Sequence, residues 1–389
     1  MTGGADTPLI DWLRLARTPG LGPVGIARLI AHYETPSAAI EALPERARHA
    51  GRSVPVIPAA DRVQREIDMA DRAGVRLICL SDPDYPPALA AIPDAPPVIA
   101  VKGRVELLDT LACGLVGARN ASAAGLRLAR ELAHGLGTAE VCVVSGLARG
   151  IDGACHAGAL ETGTVAVLAG GLDHVYPPEH DRLHAAIAEQ GALVSEMPLG
   201  HVPKARDFPR RNRLISGLSR GVLVIEAALR SGSLITARLA AEQGREVMAV
   251  PGSPIDPRAR GSNRLLRDGA HLIESVEDIL AILRDSPPLR VDVREPAVFA
   301  QDGLDADDMA GFWEHEVMSP PDALPAEPET PQRDDPVACL RALLSPSPVS
   351  PDELARQSGL PAGQVAAALM ELEQDGALAR LPGGLVQAC

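Results

Sequence analysis

Aromatic residues are nearly absent, with two Trp, three Tyr and three Phe in 389 residues. A recognition surface built from many stacked rings is therefore excluded. No apolar run approaches the roughly 18 to 20 residues of a membrane span. The start, MTGGADTPLIDW, lacks a basic region followed by an apolar one, so a soluble, cytoplasmic protein is expected. The six cysteines (Cys79, Cys113, Cys142, Cys155, Cys339 and Cys389) form no C-x-x-C pair. Several sit in apolar, strand-like runs, which points to buried reduced thiols instead of disulfides or a zinc site. His174, His180 and His184 lie across a Tyr-Pro-Pro turn without the regular spacing of metal ligands, and no metal is expected. Also missing are a Walker loop and a strand-to-helix G-x-G-x-x-G fingerprint with its distant acid, so no nucleotide cofactor is expected.

What is present is unevenly spread charge. The net charge is −14, but residues 286–335 hold 13 acidic and 3 basic residues together with eight prolines. That segment has little hydrophobic periodicity and cannot bury enough surface to fold alone, so it is expected to be a linker. With it set aside the chain is only mildly acidic, and overall charge is a poor guide to what any one face binds. At the other extreme, the stretch PKARDFPRRNRLISGLSRGVLVIEA places Lys204, Arg206, Arg210, Arg211 and Arg213 within ten residues, against Asp207 alone.

Between residues 75 and 285 apolar runs alternate with helix-like stretches rich in Ala, Leu and Arg. The runs are GLVGA, EVCVVSG, TVAVLAGG, ALVSE, GVLVIEA and EVMAVPG. Strands that are apolar on consecutive residues are expected where helices cover both faces of a parallel sheet. The predicted fold is a Rossmann-like, doubly wound, mostly parallel α/β domain. Residues 1–74 form a helical domain in which WLRLARTPGLGPVGIARLIAHY has the pattern of a helix-hairpin-helix, suited to phosphate contact or to packing. Residues 336–389 give three short helices and a hairpin tipped by Pro-Gly-Gly, a winged-helix pattern. Its third helix, from Ala362 to Asp375, has no Lys or Arg, so a protein-binding or regulatory role is at least as well supported as DNA reading.

Ligands of an open parallel sheet bind beyond the carboxyl ends of its strands. After GLVG comes Arg119, with Ser122 placed to cap the next helix. After VCVV comes SGLARGID, whose Ser145, Gly146, Arg149, Gly150 and Asp152 form a loop that lets backbone N–H groups approach an anion. After VLVIEA comes ALRSGSLITA, where Arg230, Ser231, Gly232, Ser233 and Thr236 repeat the arrangement. Three loops with hydroxyls, arginines and helix N-termini on one edge suit phosphate oxygens. Asp152 and Glu226 are the carboxylates at strand ends. Orientation of guanidinium groups explains them better than acid–base chemistry does, and no nucleophile with its base is evident, so no catalytic residue is assigned.

The motifs VGARNASAAG, SGLARGIDGACHAGAL, TVAVLAGGLDHVYPPEH, ALVSEMPLG, FPRRNRLISGLSRGVLVIEAALRSGSLITARLAAEQGREVMAVPG and GSNRLLRDGAHLI resemble, in order and spacing, the DNA-processing protein A family, also called DprA or Smf. The resemblance implies a non-enzymatic homodimer that binds single-stranded DNA and loads RecA recombinase onto incoming strands during natural transformation. It also implies that the basic pocket is built from Arg119, from Ser145, Gly146, Arg149, Gly150 and Asp152, and from Phe208, Arg211, Asn212 and Arg213, with Lys204 a weaker member. Two positions depart from the family pattern, Ala169 in place of the usual glycine and His180 in place of a frequent asparagine. The alternative is a nucleotide-processing hydrolase on a related Rossmann sheet. Such phosphoribohydrolases carry a PGGxGT-type loop, where this chain has Ser231-Gly232-Ser233.

Overall fold

The computed structural model describes residues 7–49, 51, 53–287 and 335–389. The expected linker, 286–335, thus lies almost wholly outside the described residues.

Four helices open the chain: α1 (Thr7–Ala16), α2 (Pro23–Tyr33), α3 (Pro36–His49) and α4 (Ala60–Arg72). The turn between α1 and α2 forms where Gly20 takes a positive φ of 78°, and Pro23 starts α2 at a position where its missing N–H costs nothing. Trp12, Leu13, Leu15, Ile26, Leu29 and Leu43 bury their side chains together, and Cys79 and Val98 of the adjoining sheet join them.

Among the described residues nine strands form one sheet in the order β1-β2-β6-β5-β4-β3-β7-β8-β9. The strands are β1 (Arg76–Cys79), β2 (Val98–Gly103), β3 (Ala112–Val116), β4 (Cys142–Ser145), β5 (Thr164–Val167), β6 (Ala192–Ser195), β7 (Gly221–Val224), β8 (Glu246–Ala249) and β9 (His271–Leu272). From β6 to β9 all pairings are parallel, while β2 pairs antiparallel with β6 and with β1. Every residue of β3 to β7 is buried, as the unbroken apolar runs require once helices cover both faces. One face carries α9 (Asp207–Leu218) and α10 (Ser233–Glu242), packing Leu214, Ile215, Leu218, Ala237 and Ala240 against the strands. The other carries α6 (Ala123–Thr138), α7 (Ile151–Ala159) and α12 (Val276–Asp285). The remaining helices are α5 (Pro87–Ala90), α8 (Asp181–Gln190) and α11 (Arg260–Arg267).

The chain leaves β3 for β4, β5 and β6 on one side, then returns to β7, β8 and β9 on the other. The strand order therefore reverses between β3 and β7, and the crevice at the carboxyl ends of these two strands is where an open α/β sheet holds its ligand.

The C-terminal unit packs α13 (Pro336–Leu343), α14 (Pro351–Ser358) and α15 (Ala362–Gln374) against an antiparallel hairpin, β10 (Leu378–Arg380) and β11 (Val386–Ala388). It is a winged helix, and it sits on the sheet domain. Ala123 at the start of α6 joins its core, Arg130 donates to Gln357 at 2.8 Å, and Arg258 donates to the carbonyls of Ala342 and Leu344 at 2.9 and 2.6 Å.

Cys79, Cys113, Cys142 and Cys155 are buried free thiols, whereas Cys339 is half-buried and Cys389 exposed. Burial pushes the thiols of Cys79, Cys113 and Cys142 up to about 12 and that of Cys155 well above its ordinary value. Thiolates are the reactive species. A thiol-reactive dye is therefore expected to label Cys389 first and Cys339 more slowly in the native chain, with the other four reacting only after unfolding; fast labelling of any of those four would contradict their placement.

Candidate nucleic-acid interface

A pocket of about 170 Å³ opens in the crevice between β3 and β7. Gly117 and Arg119 reach it from the turn after β3, Phe208, Arg211 and Asn212 from the start of α9, and Arg230, Ser231, Gly232, Ser233 and Thr236 from the turn into α10. The Ser231 and Ser233 hydroxyls bond to each other at 2.8 Å, which fixes the turn at the N-terminus of α10. Ser233 N, Leu234 N and Ile235 N already donate within this turn, to Ser231 Oγ and to the Ser231 and Gly232 carbonyls, so what the helix start offers an anion there is its dipole.

Arg211 is 6 % exposed, yet it carries charge to the pocket wall. Its Nη1 donates to Gly146 O at 2.5 Å and to Val167 O. A Cβ on residue 146 would overlap this guanidinium, so a larger residue there would displace Arg211 from its carbonyl partners. Asp152 is buried beside it and accepts the amides of Gly146 and Ala148 at 3.2 and 3.4 Å. Burial raises the Asp152 carboxyl above its usual range, opposed by the charge of Arg211, the two amides and Arg119. Burial likewise lowers Arg211 to about 10, with Asp152 opposing the shift and Arg119 adding to it. Arg211 is therefore still cationic at neutral pH, and its Nε is buried without a partner among the described residues.

The remaining candidates occupy distinct places. Ser122 caps α6, its Oγ accepting from Gly125 N at 3.0 Å, and Glu226 accepts from both Ser122 N (2.9 Å) and Ser122 Oγ (2.5 Å). Glu226 thereby ties the loop that carries Arg119 to the end of β7. Ser145 is fully buried and donates to Leu115 O. Gly150 has φ +73°, and a Cβ there would overlap the carbonyls of Ala118 and Arg119, so this residue lets the loops after β3 and β4 touch. Arg149 is exposed and pairs with Glu179, and Lys204 is exposed in the loop ahead of α9. Arg213, which the sequence places with Arg211, points to the other side of α9. There it is buried between Glu196 at 2.5 Å and Asp94 at 3.3 Å. Two helix residues two apart face roughly opposite ways, so the tight basic cluster of the sequence divides in space.

Arg119 is exposed and lies over the Phe208 ring, 5.7 Å from its centroid, which combines a free cation with an aromatic face. Sequence reasoning put Arg230 on the rim but outside the set of binding residues, and it missed Tyr176, whose ring meets Phe208 at 5.3 Å. Its sequence signal is only its place in the loop that follows β5.

Fold and site together define a Rossmann-like domain with an arginine-lined pocket at its strand-order reversal, flanked by a helix-hairpin-helix and a winged helix. The chain belongs to the DprA family: residues 76–284 match the model of DNA recombination-mediator protein A, 324–384 the DprA winged helix domain and 6–69 the DprA-like N-terminal HHH domain. It is 42 % identical over 306 residues to Protein Smf of Escherichia coli, covering 78 % of this chain and 75 % of that protein. It is 44 % identical over 202 residues to DNA processing protein DprA of Streptococcus pneumoniae, covering 51 % and 71 %. The crystal structure of the latter aligns with a TM-score of 0.60 at 32 % identity, over 70 % of this chain and 97 % of that one. DNA processing protein A from Helicobacter pylori, described by its single-stranded DNA binding mode, aligns with a TM-score of 0.50 at 29 % identity, over 55 % and 98 %.

Proposed function

We propose that this chain binds single-stranded DNA at the β3–β7 crevice and, as a cytoplasmic homodimer, passes it to RecA during natural transformation. The observation that carries this reading is the convergence of Arg119, Arg211, Arg230 and the α10 N-terminus on one pocket beside Phe208. Cations and a helix dipole take phosphates of any sequence, and a ring takes any base. Membership of the DNA recombination-mediator family supports the same role. Among the described residues no helix is long and apolar enough to cross a membrane.

A non-enzymatic role fits the carboxylates better than hydrolysis does. Glu226 is occupied by two hydrogen bonds from Ser122, and Asp152 is buried under Arg211. Release of free base from a nucleoside monophosphate, abolished by Glu226→Ala, would favour the hydrolase instead. The test of the main reading is a titration against single- and double-stranded oligonucleotides at two salt concentrations. Affinity is expected to favour the single strand and to fall with salt at about −0.7 in log–log slope per phosphate held; equal affinity for the duplex, or no salt dependence, would count against it.

The winged helix has a different role in this reading. Its three arginines are ion-paired, Arg341 with Asp375, Arg356 with Glu353 and Arg380 with Glu373, which leaves little free positive charge for phosphates. Deleting residues 336–389 is expected to leave most oligo-dT binding intact. A collapse of binding in a folded truncation would move the main site to the winged helix.

A further inference from the structure

The geometry points to Tyr176 as a second base-stacking residue, which carries the single strand beyond the pocket toward the β5 end of the sheet; this rests on the single-strand reading above. Tyr176 is 46 % exposed, in the loop beyond the carboxyl end of β5. Its ring meets Phe208 at 5.3 Å with a 58° tilt, and Phe208 in turn lies under Arg119. Cation, ring and ring thus run in series from the β3–β7 pocket toward the turn after β5.

The loop that carries Tyr176 is held against the segment leading into α9. Gly171 N donates to His201 O at 2.9 Å, and the Asp173 carboxylate accepts Gly200 N at 2.8 and 2.9 Å. His201 Nε2 and Lys204 N both reach Asp207 Oδ2 at 2.8 Å. These bonds fix the two rings relative to each other before any ligand arrives, so little ordering has to accompany binding. A π face next to a cation accepts any base, which suits binding without sequence preference.

The test uses the full chain, an oligo-dT carrying 2-aminopurine, and the variants Tyr176→Phe and Tyr176→Leu, with thermal melts to confirm folding. Leucine keeps an apolar contact with Phe208 but offers no stacking face. Tyr176→Phe is expected to bind and quench the fluorescent base like the wild type. Tyr176→Leu is expected to bind roughly 5- to 100-fold more weakly, with less quenching and an unchanged salt slope, because no phosphate contact is lost. If Tyr176 only braces Phe208, the leucine variant either binds like the wild type or loses salt slope along with affinity as Arg119 shifts, and both results overturn the proposal. Absence of wild-type binding would remove the single-strand reading itself, an outcome distinct from equal binding by wild type and variant.

Discussion

Replacing Arg119 by Glu lowers affinity for oligo-dT by roughly tenfold or more at low salt, the equivalent of one charge-assisted hydrogen bond, while the melting temperature stays close to that of the wild type. Arg119 is exposed and its cation–π contact with Phe208 is a surface one, so little folding energy depends on it. The neutral Arg119→Ala change should flatten the salt slope by about 0.7 if the side chain holds one phosphate. Isothermal titration across a salt series measures both quantities. Unchanged affinity and slope in folded variants would place the DNA elsewhere.

Arg211 behaves in the opposite way. Arg211→Ala is expected to destabilise the fold by about 3 to 5 kcal/mol, because Asp152 loses the charge that opposes its desolvation and buried carbonyls lose their donor. For a domain of this size that corresponds to a drop of roughly 6 to 20 °C in melting temperature. Arg213→Ala is expected to act in the same direction but less strongly, since Glu196 keeps Arg210 as a partner and Asp94 is partly exposed. Weak DNA binding by an Arg211 and Arg213 double variant would therefore report a damaged fold, and only the melts separate that from a lost phosphate contact. A Tm unchanged by Arg211→Ala would contradict its buried structural role.

Much of this was legible in the sequence because the sheet announces itself locally. Six apolar runs became β3 to β8, since burial on both faces demands unbroken hydrophobicity. The residues just past β3 and β7 could be assigned to one rim from topology alone. The strands β1, β2 and β9 were not assigned. β1 and β2 extend the sheet antiparallel without a crossover helix, and β9 has only two residues, too few to show a period. The basic stretch shows the limit at the site. Its charge density was plain, but which arginines face the ligand depends on α9's rotation and on partners far away in sequence. Gly146 and Val167 take Arg211, while Glu196 and Asp94 take Arg213. The pairing of Phe208 with Tyr176 likewise joins the start of α9 to a loop 32 residues away, a contact that no local pattern encodes.

Hydrogen exchange of the full chain with and without a saturating oligo-dT tests the central claim most directly. Binding at the β3–β7 crevice predicts slower exchange in the turn at 117–123, at the start of α9 and at the N-terminus of α10 around 231–236, with the winged helix and the α1–α2 turn unchanged. Slowing confined to α15 or to residues 17–26, with the crevice unaffected, would contradict it.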